Sequence, residues 1–161
     1  MISIIAAVAK NGVIGKNNLM PWHLPQEMKL FRTLTEGKPV IIGRRTFESL
    51  PNLLDNRFLI VLSNKLSSTS DTVQFVPSIP DALETAGRFG SEIMVAGGEL
   101  VYQQFLPIAD RLYISHIHDS YEGDAFFPRV TKQEWIPQTQ THYDNFSFVT
   151  YTRAYEHAKA A

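Results

Sequence analysis

The sequence predicts an α/β fold: a mixed, mostly parallel sheet flanked by helices. Short apolar runs of strand length recur along the chain, and most are continuous rather than alternating, as expected for strands covered on both faces. Helical patterns lie between these runs, and strands that alternate with helices are typical of parallel sheets. At 161 residues, the chain has the length of one domain, which we place at residues 1–161.

The predicted strands occupy residues 2–8, 40–43, 58–62, 73–76, 93–96 and 112–117. Residues 146–151 differ from these, because aromatic or aliphatic side chains alternate there with polar ones. Such alternation is typical of a half-exposed antiparallel strand. We therefore expect antiparallel C-terminal strands to close the sheet.

Helices are predicted between the strands. The first covers residues 25–35, and Pro25 suits its first turn. The second follows Ser78, which forms a capping-box pattern with Asp81. The third covers residues 99–106 and follows a pair of glycines. These helices supply the cover that a buried parallel sheet requires.

Composition excludes several classes of function. The chain has no cysteine, which rules out disulfides, thiolate metal sites and thiol nucleophiles. Its net charge is −1, whereas nucleic-acid and anionic-membrane binders are usually basic. The apolar residues 1–9 are too short to cross a bilayer and follow no basic segment, so we expect a cytoplasmic protein. His116 and His118 share one strand face but lack a third ligand, and no metal site is predicted.

The connection at residues 9–24 is long for a compact domain, and such loops are usually functional or disordered. Gly12 and Gly15 make its first part pliable, while Pro21 and Trp22 make its end stiff. Two interpretations remain open at this point: a mobile lid with an anchored base, or an ordinary Ω-loop.

Glu27 is the most informative acidic residue. In a helix that begins at Pro25, it lies on or beside the apolar stripe of Leu24, Met28 and Phe31. A carboxylate there loses hydration, so its pKa should rise from about 4.3. Such an acid could bind a cationic or amidine-like group or handle a proton near neutral pH. The alternative is that Glu27 only complements the helix dipole.

Three strand ends carry groups that bind phosphate. Two arginines, 44–45, follow the strand at 40–43 at a helix start, and helix N-termini attract anions. Hydroxyl, amide and ammonium groups follow the next strand at 63–65, and two glycines follow another at 97–98. Three such ends suit a long phosphorylated ligand, although surface arginines and ordinary loop residues would look the same. Arg57 could grip a carboxylate bidentately or form a surface salt bridge.

Four motifs occur in a fixed order along nearly the whole chain. They are Met20-Pro21-Trp22-His23-Leu24-Pro25 with an acid two positions on, Pro39-Val40-Ile41-Ile42-Gly43-Arg44-Arg45-Thr46-Phe47-Glu48-Ser49, Ala96-Gly97-Gly98 with Tyr102, and Glu122-Gly123-Asp124 with Phe127-Pro128. In residues, order and spacing, this set resembles dihydrofolate reductases of the bacterial chromosomal type.

The resemblance implies an eight-stranded mixed sheet and hydride transfer from NADPH to C6 of dihydrofolate, with protonation at N5. It implies NADPH as cofactor, dihydrofolate and antifolate-type small molecules as ligands, and a monomer. Nucleic-acid and membrane partners are not expected, on the ground of the net charge given above. One alternative is the riboflavin-biosynthesis reductase of the same fold class. Two features argue against it: the motif at residues 22–27, and Arg57. Another is a non-catalytic folate- or nucleotide-binding protein, against which the acid, the lid and the phosphate-binding strand ends argue.

The resemblance also assigns roles to individual residues. Those implied in catalysis are Glu27, which would bind the pterin and favour protonation at N5, and Trp22 and Met20 of the lid. Those implied in substrate binding are Ile5, Ala7, Glu27, Met28, Phe31, Leu50, Leu54, Arg57, Ala96 and Ser115. Those implied in cofactor binding are Ala7, Ile14, Gly43, Arg44, Arg45, Thr46, Leu62, Ser63, Asn64, Lys65, Gly97, Gly98 and Tyr102. Asp124 matches an acid that hydrogen-bonds the lid near Gly15.

Three places depart from the family pattern. Glu27 stands where many bacterial members have aspartate, although glutamate also occurs in the family. Residues 51–57 lack the glycine and second proline that are common before Arg57. Glu99 and Leu100 stand where many relatives have a glycine and a basic residue, which argues against a phosphate contact from that helix.

Overall fold

The computed structural model describes residues 1–50, 54–65 and 69–154 of the chain. Its strands are β1 (Ile2–Val8), β2 (Val13–Gly15), β3 (Pro39–Gly43), β4 (Phe58–Leu62), β5 (Val73–Val76), β6 (Ile93–Val95), β7 (Arg111–Ile117), β8 (Ala125–Phe126), β9 (Trp135–His142) and β10 (Phe146–Arg153). Its helices are α1 (Pro25–Thr35), α2 (Arg44–Ser49), α3 (Ile79–Gly87) and α4 (Glu99–Phe105), and a 3₁₀ turn at Leu106–Ile108 follows α4.

Eight of the strands form one sheet in the order β5-β4-β3-β6-β1-β7-β10-β9. The first six run parallel, whereas β10 is antiparallel to both β7 and β9. The predicted mixed, mostly parallel sheet with antiparallel C-terminal strands is therefore confirmed. Strands β2 and β8 pair with each other in a separate two-stranded sheet.

The continuous apolar runs are explained by cover on both faces of the sheet. Ile4, Ile41 and Ile60 face one cluster, to which α3 and α4 contribute, while their neighbours face a second cluster with side chains of α1 and α2. Adjacent residues of a strand point to opposite faces, so a strand buried on both sides needs an apolar residue at nearly every position.

Strands β2, β8 and β9 were not predicted from the sequence. The first two have three and two residues, too few to establish a period. Strand β9 is buried only at Trp135 and lies at the sheet edge, so its outward residues are polar on both faces. Pairing with other segments, rather than a local apolar pattern, makes these three segments strands.

The two helix-start signals agree with the structure. Helix α1 begins at Pro25 as predicted. Ser78 Oγ accepts a hydrogen bond from the backbone nitrogen of Asp81 at 3.2 Å, which confirms the cap of α3. The predicted third helix ends one residue early, at Phe105, because Pro107 falls in the 3₁₀ turn that follows.

Parallel pairing brings the carboxyl ends of β1, β3, β4 and β6 to one edge of the sheet. Residues 9–24 follow β1, α2 follows β3, Ser63 follows β4 and Ala96 follows β6. Ligands of open α/β sheets bind outside the carboxyl ends of the strands. The predicted phosphate-binding groups are therefore adjacent in space, although they are far apart in sequence.

A charged network joins strands near the opposite edge. Glu92 accepts hydrogen bonds from Lys38 Nζ at 2.7 Å, Ser3 Oγ at 2.7 Å and Tyr113 Oη at 3.0 Å. Burial alone would raise the pKa of Glu92, but the bonds from Lys38, Ser3 and Tyr113 outweigh burial and hold this pKa below its ordinary value. The ionised carboxylate therefore stabilises the folded state.

We expect Glu92→Gln to lower the free energy of unfolding near neutral pH by about 2 kcal/mol, since hydrogen bonds to a charged group are lost. Because the folded-state pKa of Glu92 is depressed, its contribution is full above the unfolded-state pKa and is lost as the pH falls through the folded-state value. Urea unfolding at several pH values should show that the difference in free energy of unfolding between the variant and the wild type becomes smaller at acidic pH. Glu84→Gln, in an exposed pair with Arg88, is the control; a deficit that is the same at every pH would contradict the prediction.

Candidate active site

Glu27 is buried at the first turn of α1, with 6% of its surface exposed. Burial raises the pKa of its carboxyl group to about 7. Among the described residues, no side chain or backbone group makes a hydrogen bond or ion pair with this carboxylate. The predicted burial of Glu27 is thus confirmed. The alternative, in which Glu27 only complements the helix dipole, does not account for a buried carboxylate without a partner in the described part of the chain.

Tyr102 joins α4 to the central strand next to this acid. It is 5% exposed, and its hydroxyl donates a hydrogen bond to the Ile5 carbonyl oxygen at 2.8 Å. Burial, followed by the nearby Glu27 carboxylate, raises the pKa of the Tyr102 phenol. The tyrosine therefore stays protonated and fixes the middle of β1 relative to α4.

The apolar residues predicted to bind the substrate come together on the α1 and α2 side of the sheet. Ile5, Phe31, Leu50, Leu54 and Ala96 all pack in or against one cluster. They form an apolar surface beside α1, the helix that carries Glu27.

The other predicted substrate-binding residues surround this cluster. Ala7 packs against a neighbouring cluster that contains Trp22, and Ser115 is buried on β7 directly beside Ala7. No hydrogen bond joins Ser115 to Glu27, and Met28 is 48% exposed on α1. The structure therefore places Met28 on the protein surface beside this cluster rather than within it.

The segment at residues 9–24, which we call the lid, is held by residues 119–127. Strand β2 pairs with β8, and the backbone nitrogen of Asp124 donates to the Gly15 carbonyl oxygen at 3.0 Å. The Asp124 carboxylate accepts a hydrogen bond from the backbone nitrogen of Asn17 at 3.1 Å. The predicted contact between Asp124 and the lid near Gly15 is present.

The base of the lid is apolar and its tip is exposed. Trp22 is buried and packs edge-on against Tyr121, with ring centroids 5.3 Å apart. Its Nε1 is buried without a hydrogen-bond partner among the described residues. Met20 is 53% exposed. An anchored base with an exposed tip favours the lid interpretation over a self-packed Ω-loop.

Cationic and polar groups line the space beside the lid. An open cleft lies between the lid and α2, lined by Asn17, Asn18, Leu19, Arg45, Glu48 and Ser49. The guanidinium of Arg45 makes no ion pair with any described residue, whereas Arg44 is bonded to Glu48, to Ser63 Oγ and to the Lys65 carbonyl oxygen. Arg45 is thus available to an anion, and Arg44 ties the two predicted phosphate-binding segments together.

The glycine pair at the end of β6 approaches α2 closely. The backbone nitrogen of Gly43 donates to the Gly97 carbonyl oxygen at 2.8 Å, and the Gly97–Gly98 peptide is cis. A Cβ atom at Gly98 would lie 3.1 Å from Thr46 Oγ1. The sequence could mark these glycines, but only the structure shows that they meet α2.

The remaining predicted cofactor-binding residues lie on β2, on α4 and at or directly after the end of β4. Ile14, Leu62 and Tyr102 pack in or against the cluster on the α3 and α4 side of the sheet, opposite the predicted substrate residues. Ser63 is buried directly after β4, while Asn64 and Lys65 are exposed beside it.

Sequence reasoning missed one contact of this region. Glu99 Oε1 accepts a hydrogen bond from the backbone nitrogen of Phe126 at 2.8 Å, which ties α4 to β8 and so to the lid. The only signal was that Glu99 departs from the family pattern. A contact between residues that are 27 positions apart leaves no local trace in the sequence.

The structure offers no metal-binding cluster within residues 1–50, 54–65 and 69–154. His116 Nε2 lies 2.8 Å from Tyr151 Oη, and His118 Nε2 lies 3.0 Å from Ser147 Oγ. The two histidines therefore have separate partners. In the same ranges, no helix is both long enough and apolar enough to span a bilayer.

The family model for dihydrofolate reductase matches residues 1–156 of the chain. The chain belongs to the dihydrofolate reductase family. It is 44% identical over 136 residues to the dihydrofolate reductase of Haemophilus influenzae, covering 83% of this chain and 82% of that protein. It is 40% identical over 135 residues to the Bacillus subtilis dihydrofolate reductase, covering 84% and 80% of the two chains.

A solved structure supports the same assignment. The dihydrofolate reductase from Enterococcus faecalis, complexed with NADP(H) and RAB-propyl, superposes with a TM-score of 0.86 at 31% identity and covers 96% of each chain. The family resemblance seen in the sequence is therefore confirmed. With it come the defining activity of the family, NADPH-dependent reduction of dihydrofolate to tetrahydrofolate, and the eight-stranded fold.

Proposed function

We propose that this protein reduces 7,8-dihydrofolate to 5,6,7,8-tetrahydrofolate with NADPH, acting as a monomeric, single-domain enzyme in the cytoplasm, with residues 20–27 at the centre of catalysis. The observation that carries the site assignment is the buried Glu27 carboxyl, whose pKa is raised to about 7. Antifolate-type small molecules would compete for the same pocket, and neither nucleic acid nor membrane is part of the proposal.

The residues at the carboxyl edge of the sheet fit NADPH. Arg45 at the start of α2 is free for a phosphate, and Ser63, Asn64 and Lys65 add donors beside it. A Cβ atom at Gly98 would make a tight contact of 3.1 Å with Thr46 Oγ1, whereas glycine avoids this contact and lets the backbone approach a ligand closely. When bound, the nicotinamide of the cofactor supplies the hydride that reduces C6 of the pterin.

Glu27 supplies the electrostatic part of the reaction. Its carboxyl group would hydrogen-bond the amide and 2-amino group of the pterin, which together match the two oxygens of an acid. Because the carboxyl has a pKa of about 7, it is partly protonated near neutral pH and favours the form of the substrate that carries a proton on N5. A pterin protonated there accepts a hydride more readily.

The apolar residues and the lid supply alignment and exclusion of water. Ile5, Phe31 and Leu50, which pack in or against one cluster, would hold the pterin and the aminobenzoyl ring. Arg57 would bind the α-carboxylate of the glutamate tail. Trp22 fixes the base of the lid, so Met20 at its tip can close over the reacting rings. Holding the two reactants together in a dry site accounts for much of the rate in such a reaction.

The direct test is an absorbance assay of NADPH oxidation with purified protein and dihydrofolate. We expect oxidation that depends on both reactants, with tetrahydrofolate as the product. A ribosylaminopyrimidine substrate serves as the comparison, because the riboflavin-biosynthesis reductase of this fold class would act on it instead. Oxidation with that substrate and none with dihydrofolate would refute the proposed function.

A further inference from the structure

Asp55 lies between two arginines at the edge of the proposed substrate pocket. Arg32 Nη1 and Nη2 donate to its two carboxylate oxygens at 2.9 and 3.1 Å. Arg57 Nη2 donates to Asp55 Oδ1 at 3.1 Å, and Arg57 Nε donates to the Asp55 backbone oxygen at 2.8 Å. Arg57 is buried with 3% of its side chain exposed, whereas Asp55 is 70% exposed.

The Arg57 guanidinium is oriented but not saturated. Its Nη1 donates to Thr35 Oγ1 at 3.3 Å, so three of its hydrogen bonds go to described residues. A guanidinium has five N–H groups, and one N–H on each Nη atom is left for a ligand. Two N–H groups on neighbouring nitrogens suit bidentate binding of a carboxylate.

The local backbone explains how an acid comes to stand here. Asn56 has a φ of 57°, in the left-handed region where glycine and asparagine are best tolerated. Its backbone oxygen accepts a hydrogen bond from Gly37 at 2.6 Å. Asn56 thus keeps the turn in the absence of the family's glycine, and Asp55 places its carboxylate between the arginines. Residues 51–53 of this departure from the family pattern lie outside the described residues.

The charges around Arg57 cancel. Arg32 also pairs with Glu36 at 3.5 Å, so two cations, Arg32 and Arg57, are matched by two anions, Asp55 and Glu36. Hydrogen bonding and attraction from Arg32 hold the pKa of Asp55 below its ordinary value, which keeps it ionised at neutral pH. A carboxylate bound to Arg57 would therefore approach a locally neutral cluster with a negative charge within a few ångströms.

We propose that Asp55 is a specificity-determining residue that weakens binding of the anionic glutamate tail and so reduces the preference of this enzyme for folates over pterins without a tail. The proposal rests on the proposed function, in which Arg57 binds the tail carboxylate. Its physical basis is repulsion between Asp55 and that carboxylate, added to the partial neutralisation of Arg57 before the substrate arrives.

The test is Asp55→Asn, which removes the charge and replaces the oxygen that accepts from Arg32 Nη2. The amide oxygen can still accept from Arg57 Nη2, and the backbone oxygen of residue 55 still accepts from Nε. We expect KM for dihydrofolate to fall about threefold to tenfold, as one nearby unit charge predicts for a partly exposed site. KM for 6-methyl-7,8-dihydropterin, which has no tail, should stay unchanged, and so should kcat for both substrates.

Glu84→Gln removes an equally exposed acid on α3 and is the matched control, for which no change with either substrate is expected. A higher KM for dihydrofolate in Asp55→Asn, or an equal shift with both substrates, would overturn the proposal. Failure of the wild-type protein to reduce either substrate would instead refute the proposed function, so the two failures are distinguishable.

Salt dependence provides a second measurement that needs no variant. A locally neutral tail site predicts that KM of the wild-type enzyme for dihydrofolate rises less than about threefold between low and high ionic strength. In Asp55→Asn the site gains a positive charge, so the rise should be steeper. A steep rise in the wild type would contradict the proposed neutral cluster even if the variant did not fold.

Discussion

Glu27→Gln is expected to lower the rate of hydride transfer near neutral pH by about 100-fold, the usual scale for loss of a positioned acid or charge. The amide retains the size of the side chain, but its nitrogen cannot accept a hydrogen bond from the pterin as the second carboxyl oxygen would, and it does not exchange a proton. It therefore cannot favour a pterin with a proton on N5. NADPH affinity should be nearly unchanged, because the proposed phosphate-binding groups follow β3, β4 and β6, whereas Glu27 lies on α1.

The pH profile separates this role from a structural one. With a carboxyl pKa of about 7, the wild-type rate of hydride transfer should be highest in acid and fall as the pH rises through that value. The Gln variant should lack this inflection. Glu27→Asp, which keeps the carboxylate, should restore most of the rate and the inflection. A wild-type rate that is constant from mildly acid to alkaline pH would remove Glu27 from the mechanism.

Glu27→Gln should also stabilise the folded protein at alkaline pH. The folded-state pKa of Glu27 is raised from 4.5 to about 7, so its contribution to stability is full below the unfolded-state value and is lost as the pH rises through the folded-state value. Above that pH, the free energy of unfolding of Glu27→Gln should be about 3 kcal/mol higher than that of the wild type. Below pH 4.5 the two free energies should become equal. Denaturant unfolding at acid and alkaline pH measures both limits; a stability difference independent of pH would contradict the assigned burial.

Gly123→Ala is expected to displace the lid and lower kcat by about tenfold or more. A Cβ atom at Gly123 would lie 2.5 Å from the Gly15 carbonyl oxygen and would overlap the Val13 side chain. The Gly15 oxygen is backbone and accepts the hydrogen bond from Asp124, so relief of the overlap requires β2 to move away from β8. A lid that no longer closes admits water and misaligns the reactants.

Gly87→Ala is the matched control, because a Cβ atom there meets nothing within 4 Å. Gly87 ends α3, and alanine in a helix is favoured over glycine by about 1 kcal/mol. We expect its turnover to be unchanged and its melting temperature to be equal or slightly higher. Trypsin cleavage after Lys16 of the lid, mapped by mass spectrometry, reports the lid directly and should be faster only in Gly123→Ala. Wild-type turnover and cleavage in that variant would show that the β2–β8 contact does not control the lid.

Local pattern by itself determined much of this protein. Apolar runs located the six parallel strands within one or two residues, because a strand buried on both faces is apolar at nearly every position. Pro25 and Ser78 marked two helix starts, because the first backbone N–H groups of a helix have no partner within it. Proline lacks such a group, and the Ser78 side chain accepts a hydrogen bond from one. The spacing of Glu27 from Leu24 and Phe31 predicted a buried acid, and the four motifs predicted the family.

Tertiary structure decided how these parts act together. The two short strands that hold the lid, the bond from Phe126 to Glu99 and the bridge of Asp55 to Arg32 and Arg57 all join residues distant in sequence. Such contacts depend on where the parallel sheet brings its strand ends, and composition or periodicity does not record them. The pKa of Glu27 has the same origin: its spacing gives the helix face, but the loss of water that raises this pKa requires the sheet and the lid around it.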